Sequence, residues 1–211
     1  MDSRRLAPTL DALRRRAADC TACPLYKHAT QTVFGEGPAR ARIVIVGEQP
    51  GHEEDLAGRP FVGPAGRLLD QALARAGVER RQVYITNAVK HFKWKADPGG
   101  KRRIHERPRQ EEVEACHPWF EQELWLIRPS VVICLGVTAA AAVLRRRITI
   151  RDDRGQALVS PQNIPTFVTV HPSAIVRIPD RGDREAELRR LAGDIRRATR
   201  SLSHAGTSRK K

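Results

Sequence analysis

The chain has 211 residues, 40% hydrophobic and 29% charged, a balance that suits one soluble globular unit with a single good-sized core. Lysine and arginine number 38 against 24 acidic residues, and the resulting formal charge of +14 favours a polyanionic partner, nucleic acid first. No apolar run reaches the roughly 18 residues of a membrane span and no signal-peptide core is present, so the expectation is a cytoplasmic protein without membrane contact.

Residues 6–18 place Leu6, Leu10, Leu13 and Ala17 at helical spacing with arginines opposite, and run into Cys20-Thr21-Ala22-Cys23-Pro24. After a Gly/Pro loop, Ala41 to Gly47 reads as a buried strand. A turn bearing Glu48-Gln49-Pro50-Gly51 follows, then an amphipathic helix over 64–76. Gln82 to Asn87 predicts a second strand, 110–127 a helix, Ser130 to Gly136 a third strand and 137–145 an Ala-rich helix. A fourth strand spans 164–170 and ends at His171-Pro172-Ser173, and a charged helix runs from Asp183 to Ser201. Alternating strands and helices imply one α/β domain over residues 1–201, with a central four-stranded parallel sheet and helices on both faces. Residues 202–211 read as a basic, disordered tail.

In open parallel sheets, ligands sit at the carboxyl ends of the strands. Glu48-Gln49, Asn87 and His171-Pro172-Ser173 all lie at such ends, which predicts one crevice if the strands are adjacent. Polar residues also end strands for no functional reason, so it is the coincidence of three that carries weight.

Lys101-Arg102-Arg103-Ile104-His105-Glu106-Arg107-Pro108 follows Gly99 and Gly100 and is expected to be an exposed loop. Its charges alone suit a phosphate-contacting loop in which His105 is incidental. The surrounding cations also favour a neutral imidazole with a free lone pair near pH 7.

The four cysteines, Cys20, Cys23, Cys116 and Cys134, lack the export context of a disulfide framework. Cys20-x-x-Cys23 is a metal half-site. Cys116 and Cys134 either complete a four-thiolate site, or Cys134 is simply a buried apolar residue of its strand. Thiolate ligation suits zinc or an iron–sulfur cluster equally.

Gly47-Glu48-Gln49-Pro50-Gly51 with Gly58-Arg59-Pro60-Phe61-Val62-Gly63-Pro64-Ala65-Gly66, then Tyr84-Ile85-Thr86-Asn87-Ala88-Val89-Lys90 and His171-Pro172-Ser173-Ala174, resembles the ordered motifs of the iron–sulfur (family 4) uracil-DNA glycosylases. Glu48-Gln49 and Arg102-Arg103-Ile104-His105 further resemble the UdgX-type members, which attach themselves covalently to uracil-containing DNA through a loop histidine. The resemblance implies an α/β/α sandwich and a 4Fe–4S cluster on Cys20, Cys23, Cys116 and Cys134. It also implies a monomer acting on uracil-containing DNA, single strands preferred, and releasing uracil.

By the same resemblance Phe61 stacks on the base and Asn87 reads its Watson–Crick edge, with Gly47, Gln49 and Pro50 lining the pocket. His171 would stabilise the departing uracil anion and Glu48 would face the sugar cation. His105 would attack C1′ in place of water, with Glu48 accepting a hydrogen bond from its other ring nitrogen. Lys101, Arg102, Arg103, Arg107 and Ser173 would contact DNA. The nearest rival is a conventional glycosylase that turns over, and a more distant one is a nonenzymatic, zinc-stapled nucleic-acid-binding module.

Overall fold

A computed structural model of the protein describes residues 9–205. In chain order these form α1 (Leu10–Ala18), β1 (Ile43–Gly47), α2 (His52–Ala57), α3 (Pro64–Ala76), β2 (Val83–Asn87), β3 (Trp94–Ala96), β4 (Arg103–His105) and α4 (Gln110–Ile127). They continue with β5 (Val131–Leu135), α5 (Val137–Leu144), α6 (Ile150–Asp153), β6 (Ala157–Val159), β7 (Pro165–Thr169), α7 (Pro172–Val176) and α8 (Arg181–Ala205).

The main sheet has five strands in the order β2-β1-β5-β7-β6. The four expected strands pair in parallel, and the fifth, β6, adds antiparallel to β7 at the edge. Its three residues carry too little pattern to stand out in a sequence. Every residue of β1, β2 and β5 is buried, as a parallel sheet covered on both faces requires.

Side chains alternate across the sheet. Ile43, Ile45, Ile85, Ile133 and Phe167 face Leu69 and Leu73 of α3, Ile175 of α7 and Leu191 and Ile195 of α8. Val44, Val46, Tyr84, Val132 and Val168 face Phe120 and Leu124 of α4 and Ala139 and Val143 of α5. The result is the expected α/β/α sandwich. Beyond α4, a third apolar cluster joins Leu13 and Ala17 of α1 to Cys20, Cys23, Cys116 and Trp119.

Three expectations are adjusted. α1 starts at Leu10, where the Thr9 hydroxyl accepts from the Ala12 N–H as a helix cap, and Leu6 lies outside the described residues. α8 runs on to Ala205 and so takes in residues 202–205 of the expected tail, while 206–211 lie outside the described residues. The basic stretch is also not an open loop. β3 and β4 form a hairpin, with Trp94 opposite His105, whose turn is organised by the Asp97 carboxylate accepting from the Lys101 and Arg102 N–H groups. Among the described residues no helix is long and apolar enough to cross a membrane.

Candidate active site

β1 and β2 run side by side with Gly47 opposite Asn87, so Glu48 and Asn87 leave the sheet together. The chain after β2 stays against the first turn, with the Ala88 and Val89 N–H groups donating to the Gly47 and Glu48 carbonyls. A Cβ at Gly47 would fall 2.3 Å from Asn87 Oδ1 and 2.6 Å from the Phe61 ring. The glycine is therefore the floor on which these two side chains meet. Phe61 is buried and sits at φ +55, a conformation rare for a bulky residue. What holds it there is α3, because a Cβ at Gly66 would lie 1.9 Å from the Phe61 carbonyl oxygen. The Gly63-Pro64-Ala65-Gly66 run thus sets the aromatic wall. Pro50, also buried, closes the same turn.

His171 follows β7 and its ring lies 5.7 Å from that of Phe61. Its Nδ1 accepts from the Ser173 N–H at 3.2 Å and faces the Ser173 hydroxyl at 2.8 Å. Burial pushes its pKa down to about 4, with the charges of His105 and Arg177 adding to the effect. A neutral ring whose Nδ1 is an acceptor carries its proton on Nε2, so His171 presents a fixed N–H donor. Arg177, which sequence reasoning missed, packs on the Ser173 carbonyl and hydroxyl and adds positive charge beside both histidines. Its position one turn beyond His171-Pro172-Ser173 was the available signal.

His105 closes the crevice from the hairpin. Burial, offset by Glu48 and reinforced by Arg177, holds its pKa below the ordinary imidazole value. Gln49 fixes its tautomer. The Lys93 N–H donates to Gln49 Oε1 at 3.0 Å, while Gln49 Nε2 donates to the Lys93 and Glu106 carbonyls at 3.2 and 2.9 Å. The amide cannot be flipped without losing these bonds, so the 2.8 Å contact to His105 Nε2 is a donation to the ring. The lone pair is therefore on Nε2 and the proton on Nδ1. Glu48 Oε1 lies 3.6 Å from that same Nε2. The carboxylate therefore faces the lone-pair nitrogen and not the Nδ1–H, and it is Gln49, not Glu48, that sets the tautomer.

The basic residues divide. Lys101 and Arg102 are exposed at the hairpin turn. Arg107 Nε donates to the Thr138 hydroxyl at 3.1 Å and lies 4.0 Å from Glu48 Oε2. Arg103 is turned inward: it donates to the fully buried Asp55 at 2.6 Å and to His52 at 2.9 Å, and lies over the Phe92 and Trp94 rings. It fastens the hairpin to α2, a role that the charge run hides. Gln49, expected in the pocket, is likewise spent on the hairpin backbone.

Behind the pocket, Lys90 and Glu123 are fully buried and paired at 2.5 Å. Lys90 Nζ also donates to the Asn87 carbonyl and the Thr86 hydroxyl, and Glu123 accepts from Tyr84. The backbone of Asn87 is thereby held from within the core.

The sequence profile of the Uracil DNA glycosylase superfamily matches residues 34–196, which includes every pocket residue above. The chain belongs to that superfamily. It is 38% identical over 192 residues to a type-4 uracil-DNA glycosylase of Pyrobaculum aerophilum, covering 87% of this chain and 93% of the relative. It is also 38% identical over 202 residues to the type-4 uracil-DNA glycosylase of Thermotoga maritima, covering 93% and 96%. A type-4 enzyme of Archaeoglobus fulgidus is 36% identical over 191 residues, covering 87% and 92%.

In this uracil DNA glycosylase superfamily member the four cysteines are all buried and divide between two apolar clusters. Cys20, Cys23 and Cys116 share the α1–α4 cluster. Burial, opposed by Lys90 and helped by Cys20 and Cys23, pushes the Cys116 thiol up to about 12. Cys134 lies instead in the sheet-facing core with Val46, Ala139 and Val168, and its thiol is raised by burial alone. Cys134 is a strand residue packed toward α5, in a different apolar cluster from the other three cysteines. Among the described residues no group of three or more His, Cys, Asp or Glu side chains is arranged to hold a single metal ion, whereas a four-iron cluster spreads its four protein ligands over four metals. His91 is the buried imidazole at this end. The Thr32 hydroxyl donates to the Ala18 carbonyl at 3.3 Å and faces His91 Nε2 at 2.9 Å, so His91 donates from Nε2 and keeps its lone pair on Nδ1. The adjacent Lys90 N–H donates to Cys116 Sγ at 3.2 Å.

Proposed function

We propose that this protein excises uracil from DNA by cleaving its N-glycosidic bond, with water as the ordinary acceptor. The observation that carries the reading is Asn87 Oδ1, a buried acceptor with no hydrogen-bond partner, set beside the Phe61 ring on the Gly47 floor. An acceptor left unpartnered in the core costs about 1–3 kcal/mol and asks for a ligand donor. The N3–H of uracil is such a donor, and the amide N–H of the same side chain can donate to uracil O4, where cytosine carries an amino group instead. The base must leave the stack to reach it.

When the C1′–N1 bond breaks, its electron pair leaves on uracil and the sugar becomes cationic. The His171 Nε2–H donates to uracil O2 as negative charge develops there, without surrendering its proton. Glu48 faces the sugar cation and orients the water, whose oxygen bonds C1′ and whose released proton ends on the departed uracil anion. The names of the type-4 relatives support this reading. It is tested by incubating the protein with excess single-stranded uracil DNA and measuring free uracil beyond one equivalent.

A second reading is favoured by one specific observation, the unprotonated Nε2 of His105 lying 3.6 Å from Glu48. In this reading, which matches the UdgX-type resemblance, Nε2 bonds C1′ as N1 departs, the imidazole then loses its Nδ1 proton, and uracil takes up a proton. The neutral N-alkylated ring is a poor leaving group, so the adduct persists. A band that survives denaturing electrophoresis is then expected, absent in His105→Ser while that variant still releases uracil. Because His105 titrates below the ordinary value of about 6.5, band yield stays flat down through that pH and falls only in more acid buffer, where the ring is protonated. Free uracil beyond one equivalent with no band decides for turnover.

For the metal site, we propose a structural 4Fe–4S cluster on Cys20, Cys23 and Cys116, with His91 Nδ1 as fourth ligand and Cys134 excluded. Imidazole and thiolate are both iron ligands. Iron and sulfide content should survive in Cys134→Ala and be lost in Cys116→Ala, with His91→Ala resembling the latter. Iron lost from Cys134→Ala and kept in His91→Ala would reverse the assignment.

A further inference from the structure

A cleft of about 460 Å³ opens between the start of α4 and the end of α5, outside the pocket that holds Phe61, Asn87 and His171. Arg107, Arg145, Arg146 and Arg147 line it, against a single glutamate, Glu114. One end is Arg107 on the Thr138 hydroxyl, next to Glu48. The other end is the arginine triplet, which begins at the left-handed residue Arg145 (φ +54) that stops α5. Thr138 and Arg145 are seven residues apart along α5, about 10 Å at the rise of an α-helix. The cleft is therefore longer than one phosphate group, and it begins where the crevice ends.

Two of the arginines have acidic partners. Arg145 meets Glu114 at 2.9 Å and Arg146 meets Asp153 at 2.7 Å. Both arginines are exposed, such pairs contribute little to stability, and each guanidinium keeps further N–H donors unspent. Arg147 is exposed, and among the described residues no carboxylate pairs with it. Glu114 and Asp153 offset two of the four guanidiniums, and the two positive charges left over favour a further anion in the groove.

We infer that this cleft is the track for the phosphodiester backbone of the DNA strand that runs on from the nucleotide in the crevice. The inference rests on the uracil-DNA reading above. A flipped nucleotide stays joined to its strand, and the strand leaving past Glu48 meets Arg107 first. The arginine row then meets successive phosphates without reading bases, so it adds affinity regardless of sequence.

The test uses the full chain and two labelled single strands in which thymine replaces uracil, one with long flanks on both sides and one with no nucleotides beyond the immediate neighbours. Affinity is measured across a salt series. For single strands each phosphate contact contributes about 0.7 to the slope of log affinity against log salt. Arg145→Gln/Arg146→Gln/Arg147→Gln is expected to lower that slope by about 2 on the long strand, to weaken binding more than tenfold at low salt, and to leave the short strand unaffected. Arg147→Glu alone, a surface change, is expected to weaken long-strand binding in the same direction. An unchanged slope on the long strand, or an equal loss on both strands, overturns the cleft assignment. Binding to thymine strands needs no chemistry, so the two proposals fail separately. A protein that uses the cleft but releases no uracil overturns the proposed activity alone, and one that releases uracil with an unaltered salt slope overturns the cleft alone.

Discussion

Replacing His171 with leucine is expected to slow single-turnover uracil release by about a hundred- to a thousandfold, the loss typical of removing one positioned donor from a developing anion. The magnitude follows from the way the donor is held. Ser173 occupies Nδ1, and a pKa of about 4 keeps the ring neutral, so the Nε2–H is in place before the bond breaks. The same shift makes two pH statements. Above about pH 5 the ring does not titrate, so the rate of release should show no break near 6.5 that depends on His171. Stability moves too, because the unfolded chain takes the proton first as the pH falls through 6.5. Folding is therefore penalised increasingly down to about pH 4, by about 3 kcal/mol in total. Chemical denaturation at pH 7 and pH 4, compared between wild type and His171→Leu, measures that difference. A loss in rate of less than tenfold would remove His171 from its role.

Lys90→Met is expected to destabilise the fold by about 3–5 kcal/mol, because it leaves the Glu123 carboxylate without its counter-charge at a site with no solvent access. Tyr84 and Thr86 still donate to Glu123, but hydrogen bonds from neutral hydroxyls do not replace a cation. A fall in the urea midpoint reads the effect. The paired change Lys90→Met/Glu123→Leu should recover a large part of it, since removing both charges also removes the cost of desolvating them. Lys90→Met should in addition weaken the preference for uracil over cytosine, because its ammonium holds the Asn87 carbonyl at 2.8 Å. If the paired variant is no more stable than Lys90→Met, the cost lies in packing and not in charge.

The strands and most helices were legible because buried parallel strands are unbroken runs of Ile and Val, and because Gly and Pro mark the turns between them. β6 was not, being three residues of an antiparallel edge. Glu48, Asn87 and His171 were legible as strand-end residues, Gly47 and Phe61 only through the family resemblance, and the sheet register brings Gly47 and Asn87 together. What the sequence hid were choices of partner. Nothing in Arg102-Arg103 says that one guanidinium is exposed and the next lies on a buried aspartate. Cys134 has the residue type of a ligand, yet strand alternation turns it toward α5. Lys90 and Glu123 are 33 positions apart, and only their complete burial identifies them as a pair.

Gln49 Nε2 has two hydrogens and three acceptors within reach: two carbonyls of the hairpin and the ring of His105. One of those bonds is always shared. If the imidazole swings toward a sugar, the amide loses no full hydrogen bond, since its two hydrogens settle on the two carbonyls that remain. The hairpin stays anchored while its histidine departs, so the motion needs no unfolding of the strand that delivers it. A side chain short of donors thus works as a swivel, holding the arm and releasing the hand.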